Sequence, residues 1–319
     1  MCRPACYPGN ILFVRADTRS KCGAGPLSVK IVLIDFHTHT TASDGALSPA
    51  EILQRAREAG VTTLAITDHD TVAGYRAAAG IVSDYAPLHL VPGVEFSCRW
   101  SGTTIHIVGL DMDCDHPAMR EGLQHLGQAR RERGEKIARR LADRGFDGAL
   151  AGALAQAGDS QLGRPHFSAW MVEQGHVKDQ AEAFDKYLGQ GKTGDVKAFW
   201  PELAVAVSWI VDAGGVAVIA HPLKYKYTRM KLRRLVVDFK AAGGQGIEVL
   251  SGRQTPDQMT QLQRLAAEFE LEVSVGSDFH RDGQYSPQLG VSSPRVGAGA
   301  GVWRRWSSAA VSADSESAV

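Results

Sequence analysis

Five stretches of this chain carry residues that bind metal ions or move protons. They are Asp35-Phe36-His37-Thr38-His39 with Asp44 close behind, Thr67-Asp68-His69-Asp70, Gly93-Val94-Glu95, His221-Pro222, and Gly276-Ser277-Asp278-Phe279-His280. Imidazole nitrogens and carboxylate oxygens suit Zn²⁺, Mn²⁺ and Fe²⁺, and a carboxylate can bridge two cations. In an extended segment, residues two apart point to the same face, so His37 with His39, and Asp278 with His280, can each grip one ion. Adding His106 brings in six of the eleven histidines, and with Asp44, Glu95 and Asp278 the candidate ligands number nine. At about three protein ligands per catalytic ion, nine serve three ions. Each piece alone has an ordinary explanation: a surface pair at His37/His39, a core histidine at His106, a strand end at His221-Pro222. Their common placement argues for metal. Asp68 and Asp70 are expected to orient ligands rather than bind.

Each group follows, or lies on, a β-rich run. Residues 30–36, 61–67, 88–91, 103–109, 216–220, 246–250 and 271–275 read as strands. In the fourth of these, Ile105 and Ile107 alternate with His106, which turns the histidine to the other face. Ser48-Pro49-Ala50-Glu51 is a capping box with proline at the first helical position, opening a helix that Gly60 closes. Further helical patterns cover 201–213, 231–242 and 256–269. Strands alternating with helices predict an α/β fold with a parallel sheet. Catalytic groups of parallel barrels gather at the C-terminal strand ends, where these residues stand. Residues 115–199 have helical patterns but no convincing strand, and read as a helical insertion forming a lobe over one end. Within it, Leu123, Leu126, Arg130, Arg133, Ile137 and Leu141 share one helical stripe, with arginines where apolar residues are expected. That stripe is either a solvated face or a phosphate contact.

In order and spacing, His37-Thr38-His39, Thr67-Asp68-His69-Asp70, Gly93-Val94-Glu95, His221-Pro222 and Asp278-Phe279-His280 resemble the motifs of the polymerase and histidinol phosphatase (PHP) superfamily. Gly163-Arg164-Pro165-His166-Phe167 and Gly276-Ser277-Asp278-Phe279-His280 resemble its branch that hydrolyses 3′,5′-nucleoside bisphosphates, some members of which also trim RNA from the 5′ end. Over residues 30–306, the resemblance implies a distorted seven-stranded (β/α) barrel with three metals, usually Mn²⁺; Zn²⁺ and Fe²⁺ suit the same ligands. It assigns His37, His39, Glu95 and Asp278 to one ion, Glu95, His106 and His221 to a second, and Asp44, His69 and His280 to a third. Of these, His37, His39, Glu95, His221 and Asp278 would stand at the reacting centre. Leu223-Lys224 departs from the family, which usually has a smaller residue and arginine there. Thr193-Gly194-Asp195 departs as well.

A cation lowers the pKa of bound water towards 7, so attack of metal-bound hydroxide on phosphorus is the expected reaction. No GxSxG element or Cys/His pair proposes a covalent nucleophile instead. The phosphate that is not cleaved needs cations. Arg164 beside His166 is the first choice, followed by Arg130, Arg133 and Lys192, the last after Gly189 and Gly191. The expected substrate is a small phosphorylated nucleotide, with short RNA 5′ ends as a second. Rival readings are a phosphatase for another small phosphomonoester, such as histidinol phosphate, and a metal-stabilised barrel that only binds.

Thirty-five basic and 35 acidic residues cancel in this chain of 319, so no global field draws it to nucleic acid or membrane. No apolar run approaches the roughly 20 residues of a membrane helix. Cys2, Cys6, Cys22, Cys98 and Cys114 show no CxxC spacing and read as reduced thiols, which places the protein in the cytoplasm. Residues 1–28 lack hydrophobic periodicity, and Ile11-Leu12-Phe13-Val14 is shorter than a signal-peptide core, so a disordered leader is expected. Residues 29–306 then form the working domain, and the Ser/Ala-rich, acidic 307–319 a disordered tail. Nothing in the sequence calls for an obligate protein partner.

Overall fold

A computed structural model describes residues 33–196, 200–284, 286–292 and 301–306. The expected leader and tail, with Cys2, Cys6 and Cys22, lie outside them. The strands are β1 (Leu33–Asp35), β2 (Val61–Ala65), β3 (His89–Val91), β4 (Gly93–Trp100), β5 (Thr103–Leu110), β6 (Val216–Ile219), β7 (Gly246–Ser251), β8 (Glu272–Gly276) and β9 (Val291–Ser292). They form a mixed α/β fold with a four-stranded sheet, β3-β2-β1-β9, and a five-stranded sheet, β4-β5-β6-β7-β8.

The wholly parallel sheet suggested by the alternation is not what forms. β4 pairs antiparallel with β5, and β5 antiparallel with β6. The cause is local. Only Pro92 separates β3 from β4, and Ser101-Gly102, with φ of 48° and 75°, makes a tight two-residue turn into β5. Positive φ at both central residues is the hairpin geometry that matches strand twist. Ser-Gly was the available signal for it. The sheets meet at two seams. At one, Phe36 N donates to Val275 O at 3.1 Å, Asp278 N to His37 O at 2.8 Å and His39 N to Phe279 O at 2.9 Å. At the other, Glu95 N donates to Asp68 O at 3.2 Å and Asp70 N to Glu95 O at 2.9 Å. Ligand-bearing segments run along both seams.

The helices are α1 (Pro49–Ala59), α2 (Ala73–Ala79), α3 (Pro117–Ala142), α4 (Ala149–Ala157), α5 (Arg164–Glu173), α6 (Gln180–Ala183), α7 (Leu203–Asp212), α8 (Arg229–Ala241) and α9 (Pro256–Glu268). α1 starts as its sequence predicts, with the reciprocal Ser48/Glu51 capping box, and Gly60 ends it in the left-handed region. Among the described residues between β5 and β6 the named elements are all helical. They carry their own core of Ile137, Leu141, Phe167, Trp170, Met171 and Leu188, separate from the core around the five-stranded sheet. A lobe with its own core can hold groups at a fixed place above the strand ends.

Candidate metal centre

Strand β1 delivers His37 and His39 with both rings fully buried. Four atoms converge there: His37 Nε2, His39 Nε2, Glu95 Oε2 and Asp278 Oδ1. The two imidazole nitrogens are 3.1 Å apart, each is 3.3 Å from Glu95, and Asp278 lies 3.6 Å from His37 and 3.4 Å from His39. Bonds of about 2.1 Å in a tetrahedron set ligand–ligand edges of about 3.4 Å. The spacing fits one cation. Beside it, Glu95 Oε1 lies 2.9 Å from both His106 Nδ1 and His221 Nε2, which are 3.3 Å from each other. Asp44 lies 3.3 Å from His280 Nε2, 3.9 Å from His69 Nε2 and 3.7 Å from His39 Nδ1. All nine sequence-derived ligands are thus brought together, in overlapping groups that share His37, His39, His69 and Glu95.

Three of the converging atoms are buried without a hydrogen-bond partner: His39 Nδ1, His69 Nδ1 and Glu95 Oε2. His69 Nδ1 is only 3.0 Å from Glu95 Oε2, yet the pair does not meet hydrogen-bond geometry. Buried polar atoms are rarely left so, and cations among them satisfy the group. Burial alone would raise the Glu95 pKa, but the rings of His69, His37 and His106 overrule it and hold the carboxyl well below its usual range. Burial pushes His69 and His221 down to about 4, so both are neutral at pH 7, the form that binds metal.

Backbone strain marks the same places. Asp70, His221 and Asp278, three of the seven non-glycine residues with positive φ among the described residues, have φ of 56°, 29° and 55°, values that cost a non-glycine residue backbone strain. A Cβ on Gly276 would come within 2.3 Å of His37 Cβ, so only glycine lets β8 pass this close to the ligand.

The supporting groups divide into expected and missed. Asp68 accepts from Thr40 N, Thr40 Oγ1 and Ser43 Oγ at 2.6–2.7 Å, which fixes the loop carrying Asp44. Glu248 was missed. Its carboxylate lies 2.7 Å from His37 Nδ1 and accepts from His221 N at 2.5 Å, holding His37 with Nε2 towards the cluster. The available signal was a single acid in the apolar run Gly246-Ile247-Glu248-Val249-Leu250, since an unpaired carboxylate there would be costly.

A cavity of about 620 Å³ opens beside the ligands and is lined by Asp44, His69 and His106 together with Arg130, Arg133 and Arg164. Arg130 and Arg133 both lie against the Trp200 ring, and Arg164 against Phe184. The arginine stripe of α3 therefore faces the cavity and is not a solvated face. Burial, then Arg164 and Arg130, push the Arg133 pKa down to about 9. Arginine keeps its proton at pH 7, so the crowded charges persist and an anion relieves them.

Not every expected contact residue reaches the cavity as a free group. Arg130 is engaged: its Nε and the paired NH2 nitrogen each lie 2.6 Å from buried Asp70. His166 caps the start of α5, with Nδ1 accepting from Gly163 N at 3.0 Å and Nε2 3.2 Å from Ser160 Oγ. Lys192 is exposed and is not among the lining residues. Lys224 does line the cavity, and its ammonium pairs with Asp278.

Buried imidazoles and carboxylates at strand ends, beside a cationic cavity, define a metallohydrolase for an anionic substrate. Residues 35–192 match the PHP domain. A Haemophilus influenzae protein described as a 5′-3′ exoribonuclease is 46% identical over 246 residues, covering 77% of this chain and 89% of its own. A Chromobacterium violaceum 3′,5′-nucleoside bisphosphate phosphatase is 42% identical over 258 residues, covering 81% and 90%. The solved structure of a Chromobacterium violaceum protein described as an amidohydrolase with bound sulfate superposes with a TM-score of 0.78 at 40% identity, covering 85% of this chain and 95% of that one. The chain belongs to the PHP family, and it is a metal-dependent phosphoesterase.

Proposed function

We propose that this protein removes a phosphate from 3′,5′-nucleoside bisphosphates and also trims short RNA from the 5′ end, using three divalent cations, Mn²⁺ first. The observation that carries this reading is the placement of Arg133 and Arg164 in the same cavity as the ligand cluster. A substrate with one phosphate needs only the metals; a second cationic station fits a second phosphate. Of the two relatives described above, one is a 3′,5′-nucleoside bisphosphate phosphatase and the other a 5′-3′ exoribonuclease by their descriptions. An amide substrate would not call for this charge.

The ligand sets are those the family resemblance implies: His37, His39, Glu95 and Asp278 would hold one ion, Glu95, His106 and His221 the second, and Asp44, His69 and His280 the third; the close grouping of these nine side chains supports them. When bound, the ions acidify the attacking water and offset charge on the phosphoryl and leaving oxygens. The chain's own groups position and exclude. Arg133 and Arg164 hold the phosphate that stays, Trp200 and Phe184 fix their guanidinium planes, and Glu248 keeps His37 aimed. Held at both phosphates, the substrate has little rotational freedom left to lose before attack.

The seams described above support one closed, distorted barrel of seven strands, with β3 and β4 counted as a single strand bent at Pro92 and the two-residue β9 left outside the barrel as an addition to β1. Residues 29–306 are the working domain in this reading, with 115–199 as its substrate lobe. Among the described residues no helix is long and apolar enough to cross a membrane. The buried free thiols of Cys98 and Cys114 fit a reducing cytoplasm. The test is a phosphate-release screen of the metal-loaded protein on bisphosphates, monophosphates and 5′-phosphorylated oligoribonucleotides, with metal content measured alongside. Bisphosphates turned over no better than aryl or sugar monophosphates would refute the assignment.

A further inference from the structure

The charge distribution outside the metal centre is uneven. The whole chain is neutral, yet residues 224–234 hold Lys224, Lys226, Arg229, Lys231, Arg233 and Arg234 and no acid. Two of the six have carboxylate partners: Lys224 on Asp278 and Arg233 on Glu268. Lys226 and Arg229 are exposed and, among the described residues, make no ion pair within 4 Å, although Arg229 is near enough to help lower the Glu268 pKa. Helix stability does not explain them, because positive charge in the first turn of α8 opposes the helix dipole.

These cations begin at the cavity and lead away from it. Lys226 lines the rim with Tyr225. The Tyr225 and Tyr227 rings are 5.6 Å apart, and Tyr227 and Trp100 also 5.6 Å. Lys231 Nζ lies 4.3 Å over the Tyr227 ring and 5.8 Å from that of Trp100. Trp100 ends β4 just before the turn whose Gly102 borders the cavity. An aromatic row thus holds the basic segment against the rim.

Counting phosphates gives these groups a role. On the function proposed above, the metals take one phosphate of a nucleoside bisphosphate, and Arg133 with Arg164 take the other. That substrate has nothing left for Lys226, Arg229 and Lys231, whereas an RNA chain offers another phosphate with every nucleotide. We infer that Lys226, Arg229 and Lys231 form a track for the backbone of single-stranded RNA whose 5′ end occupies the cavity. The inference rests on the proposed phosphatase and RNA-trimming function and adds the surface that makes long substrates bind.

The test compares wild type with Lys226→Ala, Arg229→Ala and the double variant on adenosine 3′,5′-bisphosphate and on a 5′-phosphorylated decaribonucleotide. The double variant is expected to raise KM for the decamer about tenfold, to keep kcat, and to leave kcat/KM for the bisphosphate within about twofold. The logarithmic salt slope for the decamer should become shallower by about 1.4, from roughly 0.7 per lost contact. An unchanged decamer KM, or equal losses on both substrates, would overturn the track. Fluorescence anisotropy with a phosphorothioate-linked decamer separates the two claims. Wild type that fails to hydrolyse the bisphosphate yet binds this decamer through Lys226 and Arg229 sinks the proposed function and keeps the track. Equal decamer affinity in wild type and double variant, or tighter binding to phosphatidylserine vesicles than to the decamer, sinks the track.

Discussion

Glu95 offers one oxygen to His37 and His39 and the other to His106 and His221, so one side chain joins two groups of ligands. At such a centre, loss of a ligand and loss of its orienter differ in kind. His69→Ala or Asp278→Ala should cut turnover by orders of magnitude and lower bound metal, with the circular dichroism spectrum kept; near-normal turnover would remove that residue from the ligand set. Glu248→Gln should leave the ligands in place but weaken metal affinity by about 10–100-fold, as lost orienting contacts do. A metal titration reads it. On the proposed function Arg164 serves recognition, and losing a charge-assisted contact to phosphate costs about 1.5–3 kcal/mol. Arg164→Ala should therefore lower kcat/KM tenfold or more on a bisphosphate and far less on an aryl phosphate. Equal losses would mean that Arg164, whose NH1 also donates to Leu188 O at 3.0 Å, supports the lobe instead.

Helix α3 is where the helical segment between β5 and β6 meets the segments that carry the candidate ligands. Its Arg130 reaches Asp70, which also accepts from Ser97 N at 2.6 Å and Ser97 Oγ at 2.9 Å. Asp70 follows the ligand His69, and Ser97 stands two residues beyond Glu95, so this ion pair ties the lobe to both ligand-bearing segments. Both side chains are almost wholly buried, 8% and 0% exposed. Removing one partner of a buried pair leaves the other charge stranded, at a cost of about 3–5 kcal/mol. Arg130→Ala should destabilise the protein by that amount in denaturant unfolding, whereas a direct phosphate contact alone would leave stability unchanged. One turn along α3, Arg133 donates to Val196 O at 3.1 Å and stays at the cavity. The same stripe thus makes a buried ion pair with one arginine and places the next on the cavity wall.

In the whole molecule, metal and fold are linked. The ligand cluster buries Glu95 and Asp278 with His37, His39 and His221, and without cations several of their polar atoms lack partners. A ligand that binds only the folded state adds about 2.7 kcal/mol at one hundred times its Kd. Mn²⁺ at such an excess should raise the melting temperature of chelator-treated protein by several degrees, and chelation should reverse it. A melting temperature indifferent to Mn²⁺ would contradict metal binding at this cluster.

Residue type and local period carried much of this protein. His37-Thr38-His39 and Asp278-Phe279-His280 could be read as ligands because a two-residue spacing in extended chain sets side-chain direction without help from elsewhere. The capping box of α1 and the helical stripe of α3 are equally local. Sequence could not decide what depends on residues far apart in the chain. Glu248 meets His37 from 211 residues away. Arg130 is joined to Asp70 from 60 residues away. Burial, partner choice and sheet order arise only when distant segments share space. Tertiary structure therefore decided which charges gather in the candidate metal cluster, which pair with each other, and which line the cavity.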